Sequence, residues 1–190
     1  MKNILLFGVA RSGKSTLAKK ILKEYPNYKI MDLDSLLDTF SKTLPEANVG
    51  YLYDKVKENR IAKFTGCLLN EQVSRYGRDS IYYIIEGDSI LPEDIKENFD
   101  LENTIVIFLG HNKLTPEEIL NNCRKYDSNT EWTSRWKDNK LIKHAKWQLK
   151  IGKKIEKQCQ KYNYMFVDTS KNRNKILKQT YAQIEKELAS

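Results

Sequence analysis

The sequence predicts an α/β fold, a parallel sheet covered by helices on both faces. Three observations point there. Short apolar runs of strand length alternate with longer segments whose apolar residues recur at helical spacing. A glycine-bearing turn, Gly8–Ser15, lies at the first junction between the two kinds of segment. The chain has 190 residues, only 8 Gly and 4 Pro, and neither an internal repeat nor a low-complexity tract. That is the size and composition of one domain, spanning residues 1–190, with a core of its own.

Taken in order, Ile4-Leu5-Leu6-Phe7 reads as a buried strand over Lys2–Phe7. Leu17, Ile21 and Leu22 then give a helix over Lys14–Glu24. Further strands are expected at Tyr28–Leu33, Ile81–Glu86, Thr104–Leu109 and Tyr164–Asp168. Helices are expected at Ser35–Phe40, Tyr53–Tyr76, Thr115–Tyr126, Lys140–Lys161 and Asn172–Leu188. Thr115 suits a helix cap, Pro116 a first helical position, and Glu117 and Glu118 the positive end of the helix.

The turn carries the chemistry. It reads Gly-Val-Ala-Arg-Ser-Gly-Lys-Ser between a strand and a helix, the setting of a phosphate-binding loop. Gly8 and Gly13 let the chain curl so that backbone N–H groups can face phosphate oxygens. The helix that follows adds its positive N-terminus. Gly8, Ala10, Arg11, Ser12, Gly13, Lys14, Ser15 and Thr16 are therefore expected around a nucleotide's phosphates. Lys14 supplies a point charge at the β- and γ-phosphates, and Ser15 a hydroxyl for Mg²⁺.

In open α/β sheets, ligands gather at the carboxyl ends of the strands. The second strand ends in Asp32-Leu33-Asp34-Ser35. Asp34 could take a proton from an attacking hydroxyl, and Asp32 could hold Mg²⁺. Alternatively, Asp34 or Ser35 merely caps the next helix. The third strand closes on Glu86-Gly87-Asp88, where Glu86 is a second candidate for Mg²⁺. The fourth ends in His111-Asn112-Lys113, but Thr115 stands where a guanine-reading Asp is needed, which argues against a signalling GTPase. The fifth ends in Thr169-Ser170, polar groups suited to an adenine ring. Between strands four and five, Arg124, Trp132, Arg135 and Trp136 interleave on a polar loop. Cations and aromatics placed so suit a lid over residues 111–140, with Arg124 and Arg135 as phosphate-facing candidates.

Charge and composition bound the partners. The net charge is +8. Residues 137–190 hold 14 Lys+Arg against 5 Asp+Glu, so the basic excess lies there. Lys140, Lys143, Lys150, Lys154, Lys157 and Lys161 share a helix face opposite Ile142, Ala145, Leu149, Ile155, Cys159 and Tyr162. Such a face is ordinarily solvated, although it could meet a polyanion. No apolar stretch reaches membrane-spanning length, and no signal peptide precedes the first strand. Cys67, Cys123 and Cys159 lack paired spacing and read as small core residues of a cytoplasmic protein. His111 and His144 form no metal pair, and His144 is expected to be solvated.

Together the loop at Gly8–Ser15, the Asp32-x-Asp34 strand end, Ile84-Ile85-Glu86-Gly87 and the two lid arginines resemble the small P-loop kinases of the nucleoside and nucleotide monophosphate kinase-like superfamily, with uridine-kinase-like features. The resemblance implies a three-layer sandwich, strand order 2-3-1-4-5, a helical lid, ATP as donor and Mg²⁺. It implies transfer of the γ-phosphoryl group to a nucleoside, nucleotide or similar metabolite, with Lys14, Asp34, Arg124 and Arg135 as the catalytic set. Glu86-Gly87-Asp88-Ser89 replaces the Asp-Gly-Phe-Pro-Arg signature of adenylate kinases, so the resemblance names no monophosphate acceptor. The acceptor is expected between residues 35 and 80, a region that carries Arg60, Arg75 and Arg78. Two other readings compete: a kinase of polynucleotide ends that uses the lysine face, and a non-catalytic ATP switch.

Overall fold

The computed structural model describes residues 1–51, 60–129 and 131–189. Five parallel strands form one sheet: β1 (Asn3–Gly8), β2 (Tyr28–Asp32), β3 (Tyr82–Gly87), β4 (Thr104–Gly110) and β5 (Met165–Asp168). Their order is β2-β3-β1-β4-β5, as expected. β1 is central, and all six of its residues are buried. Strand alternation sends its side chains to two different cores. Leu5 and Phe7 join Leu33, Leu37, Ile61, Ile95, Phe108 and Ile155 on one face. Ile4 and Leu6 join Leu17, Ile21, Leu177, Tyr181 and Ile184 on the other. Each fully buried Leu or Ile contributes about 1.5–3 kcal/mol, so the sandwich is held from both sides of one strand.

The helices are α1 (Lys14–Glu24), α2 (Leu33–Thr43), α3 (Arg60–Tyr76), α4 (Pro92–Asn98), α5 (Pro116–Tyr126), α6 (Asp138–Tyr162) and α7 (Arg173–Ala189). α1 and α7 cover one face of the sheet. α2, α3, α4 and α6 cover the other. The helix expected over Tyr53–Tyr76 is present from Arg60, and residues 53–59 lie outside the described residues. α2 starts two residues earlier than expected, because its cap is Asp32 rather than Asp34 or Ser35. α4 has only seven residues, too few for periodicity to reveal. Asp94 Oδ2 accepts the Leu91 N–H at 2.7 Å and fixes its start.

α6 buries Leu141, Ala145, Gln148, Gly152, Ile155 and Cys159. The buried stripe is thus rotated slightly from the expected one, leaving Ile142, Leu149 and Tyr162 half-buried. Its six lysines named above are exposed, and Lys154 reaches Glu93 at 2.8 Å. Cys123 and Cys159 are buried as expected, but Cys67 is exposed on α3. Among the described residues, no helix is long and apolar enough to cross a membrane.

Candidate active site

The loop Gly8–Ser15 leaves β1 at the middle of the sheet and enters α1. Gly8 (φ 124°) and Gly13 (φ 112°) both take left-handed backbone. A Cβ at Gly8 would stand 1.9 Å from the Leu109 carbonyl oxygen, so only glycine lets β1 and β4 pair there. Arg11 is also left-handed (φ 65°), a conformation that costs a non-glycine residue roughly 1–2 kcal/mol. The buried hydroxyl of Ser12 donates to Val9 O at 2.8 Å and closes the curl. Thr169, at the end of β5, donates to Ser12 O at 3.0 Å and braces the loop from behind. Gly13 occupies the N-cap of α1, and no side chain caps that helix. Its first-turn N–H groups have no intrahelical acceptor, which suits an anion.

Lys14 is buried, with 7% of its surface exposed. Its Nζ donates to Val9 O at 2.9 Å and more loosely to Gly8 O at 3.4 Å. An ammonium has three N–H donors, so one remains for a phosphate oxygen. Ser15 and Thr16 are exposed at the start of α1. Thr16 Oγ1 accepts from Arg173 Nη2 at 3.2 Å.

Four carboxylates gather beyond the ends of β2 and β3. Asp32 and Glu86 are register partners, and Asp34 and Asp88 each follow two residues later. Asp34 is pushed up to about 7, first by desolvation, then by the negative charge of Asp88, with Asp32 and Glu86 adding and Lys14 opposing. Its side chain is exposed by area yet ringed by protein. Solvent on the open side partly screens these charges. Asp32 is committed locally: Oδ1 accepts the Asp34 N–H at 3.1 Å and Oδ2 accepts Ser35 Oγ at 2.6 Å. Tyr51 donates to Asp38 Oδ1 at 2.8 Å on the same rim.

On the opposite side of the loop opens a cleft of about 810 Å³. Arg11, His111, Tyr126, Thr169, Asn172 and Arg173 are among its walls, and none of the four carboxylates is. Its size suits a nucleoside. His111 is buried, and desolvation pushes its imidazole down to about 4, so it is neutral at pH 7. Thr169 and Ser170 line this cleft, where an adenine ring was expected. Arg173 was not anticipated. It stands alone after β5, and only the fold brings it to α1. Asp88 went unassigned as well, because no motif separates it from an ordinary turn residue.

The segment between α5 and α6 carries a short 3-10 turn, Trp132–Arg135. Arg124 is bound within this segment: Nε and Nη2 reach Asp138 Oδ1 at 3.0 and 2.7 Å, and Nη2 also donates to Trp136 O. Arg135 is exposed. Among the described residues, neither arginine is hydrogen-bonded or ion-paired to Gly8–Ser15. Instead Arg11 reaches out of the loop to Asp127, Glu131 and Thr133. His144 is not solvated as expected. It packs against Trp132 (5.2 Å between ring centroids), Trp136 (5.5 Å) and Trp147 (5.5 Å). In the acceptor region, Arg60 donates to Ala47 O at 3.0 Å and Arg75 pairs with Glu71 at 3.7 Å on the surface.

A structural comparison decides the architecture. The whole chain superposes on shikimate kinase from Bacteroides thetaiotaomicron with a TM-score of 0.57 and 16% identity, covering 100% of this chain and 99% of that one. The chain has the fold of the small P-loop kinases. Shikimate kinase from Acinetobacter baumannii, solved in complex with shikimate, matches with a TM-score of 0.53 and 16% identity over 100% and 93% of the two chains. No protein-family model matches the sequence, and no curated protein matches it. The loop, the carboxylates at the ends of β2 and β3, and the cleft all lie at the carboxyl end of the sheet.

Proposed function

We propose that the chain is an ATP-dependent phosphotransferase that moves the γ-phosphoryl group to a hydroxyl of a small molecule. One observation carries this reading: the buried lysine of the phosphate loop and an aspartate pushed toward neutrality share one electrostatic neighbourhood. A phosphate-binding loop alone would serve a switch as well. A carboxylate with its pKa near the working pH, beside that loop, is what a general base requires. The base and ribose of ATP occupy the cleft beside Arg173 and Thr169, and the phosphates lie along Gly8–Thr16.

Asp34 accepts the proton of the acceptor hydroxyl as its oxygen attacks the γ-phosphorus. The bond to the β,γ-bridging oxygen breaks, and ADP leaves with the displaced electrons. Lys14 and the first-turn amides of α1 offset charge on the phosphate oxygens. Arg124 braces the end of the lid through Asp138, and Arg135 is an exposed lid cation. Ser15 and Glu86 suit Mg²⁺, since Asp32 already accepts the Asp34 N–H and the Ser35 hydroxyl. Among the described residues, no cluster of three or more His, Cys, Asp or Glu could cage a metal. Mg²⁺ held by Ser15 and Glu86 would need few protein ligands. When bound, it neutralises phosphate charge.

The fold match supports a small hydroxylated acceptor only by analogy, through a solved kinase that holds shikimate. The lysine face of α6 is exposed and is not recorded among the walls of the cleft, so nothing in the site favours a polynucleotide. The test is a screen of hydroxy acids, sugars, nucleosides, nucleotides and short oligonucleotides for acceptor-dependent ADP release. At least one small hydroxylated compound is expected to be phosphorylated, with the rate lost in Asp34→Asn. Turnover unchanged by that substitution would remove the general base and with it this reading.

A further inference from the structure

Arg11 joins the phosphate loop to the lid. Both oxygens of Asp127 accept from its guanidinium, the Nη2 bond at 2.8 Å. Thr133 Oγ1 accepts from the same Nη2 at 2.6 Å and donates to Asp127, closing a three-residue ring. Glu131 stands 3.5 Å from Nη2. The Asp127 side chain is only 5% exposed, so this ion pair is largely desolvated on the Asp127 side. Arg11 Nε is buried without an acceptor, and Arg11 lines the cleft. The residue also holds left-handed backbone where glycine would be less strained. Asp127 and Thr133 take three of the five guanidinium N–H groups, which leaves the Nε N–H and one Nη1 N–H held in fixed directions.

We propose that Asp127 and Thr133 are positioning residues that hold the Arg11 guanidinium toward the nucleotide's phosphates. The charge-stabilising arginine then belongs to the phosphate loop, and the lid supplies the acceptors that orient it. This is the reverse of a lid that delivers arginines to the loop. The inference rests on the kinase reading above, since it needs a nucleotide in the cleft.

The test is titration calorimetry of the full chain with ATP and, separately, with adenosine. Arg11→Lys and Asp127→Asn are each expected to weaken ATP about tenfold, the scale of one charge-assisted hydrogen bond, while adenosine affinity stays within about twofold. Combining the two is expected to add little, because they act as one unit. Thr133→Val, which replaces the hydroxyl by a methyl of similar size, is expected to weaken ATP about threefold while adenosine affinity again stays within about twofold. Equal losses for ATP and adenosine would mark Asp127 as purely structural and overturn the proposal. Additive losses, or a silent Thr133→Val, would overturn it too. If the unsubstituted chain binds ATP and Asp127→Asn binds it equally well, this inference fails alone. If the unsubstituted chain binds no ATP, the kinase reading fails and takes this one with it.

Discussion

Asp32 and Glu86 are register partners at the carboxyl ends of β2 and β3, so two acidic residues stand side by side where the sheet meets the phosphate loop. Their neighbours divide the work between them. Asp32 caps α2 through Oδ1, and its Oδ2 accepts the Ser35 hydroxyl. Glu86, half-buried on the adjacent strand, is not held by that cap. Asp32→Ala is therefore expected to cost about 1 kcal/mol of stability, the worth of an N-cap, measured by denaturant unfolding. Glu86→Gln is expected to leave stability equal or slightly higher, since it relieves repulsion. It should raise the Mg²⁺ concentration needed for half-maximal turnover about tenfold, as the loss of one charged ligand interaction does.

The raised Asp34 carboxyl has two consequences with opposite signs. Catalysis needs it ionised, so kcat/KM is expected to rise with pH through about 7 and level off above. Folding prefers it protonated. A carboxyl whose folded pKa lies above its unfolded value contributes stability below the unfolded pKa, near 4, and loses it as pH rises through about 7. Asp34→Asn is thus expected to melt higher than the parent at pH 8, with the difference shrinking toward pH 4. Solvent on the open side of Asp34 keeps the effect modest. Thermal melts across that range check the sign. A parent that gains on the variant as pH rises would mean that the ionised group is stabilised.

Gly8 is expected to be the least replaceable residue of the loop. A methyl there would meet the Leu109 carbonyl at 1.9 Å and force the β1–β4 pairing apart at the centre of the sheet. Gly8→Ala is expected to cost at least about 3 kcal/mol, from backbone strain and lost packing together. The yield of soluble protein and the urea midpoint report it.

The sheet and its order were legible because each strand is a short apolar run bounded by turn residues, and because Gly8–Ser15 sets the first crossover. Ile4 to Phe7 needed no partner to be recognised. What escaped depends on pairs distant in sequence. Arg11 and Asp127 are separated by 116 positions, and neither residue type announces the other. Arg173 reaches Thr16 across 157 positions for the same reason. Arg124 illustrates the converse difficulty. Its place near the end of α5 was legible, but Asp138, fourteen residues on, takes its charge. α4 was hidden by its length alone.

The segment between α5 and α6 has a built-in reporter. All three tryptophans of the chain, Trp132, Trp136 and Trp147, surround His144 between the lid and α6. Nucleotide binding that engages Arg11 should disturb this cluster through Thr133, which follows Trp132 directly. ATP is expected to change intrinsic fluorescence saturably, with a midpoint equal to its calorimetric Kd. Adenosine should change it far less. A signal that responds equally to both would place the response at the base rather than the phosphates.

The most direct measurement is the affinity of ATP for the parent chain and for Lys14→Ala. Lys14 donates to two loop carbonyls and keeps one N–H for phosphate, so its loss should be felt by the triphosphate and little by the fold. The expected result is saturable ATP binding by the parent, weaker in the variant by on the order of 100-fold, as when a buried charged contact of about 3 kcal/mol is removed. Melting temperatures should agree within a few degrees. Equal ATP affinity in the two proteins would contradict the account, because it would place the triphosphate somewhere other than this loop.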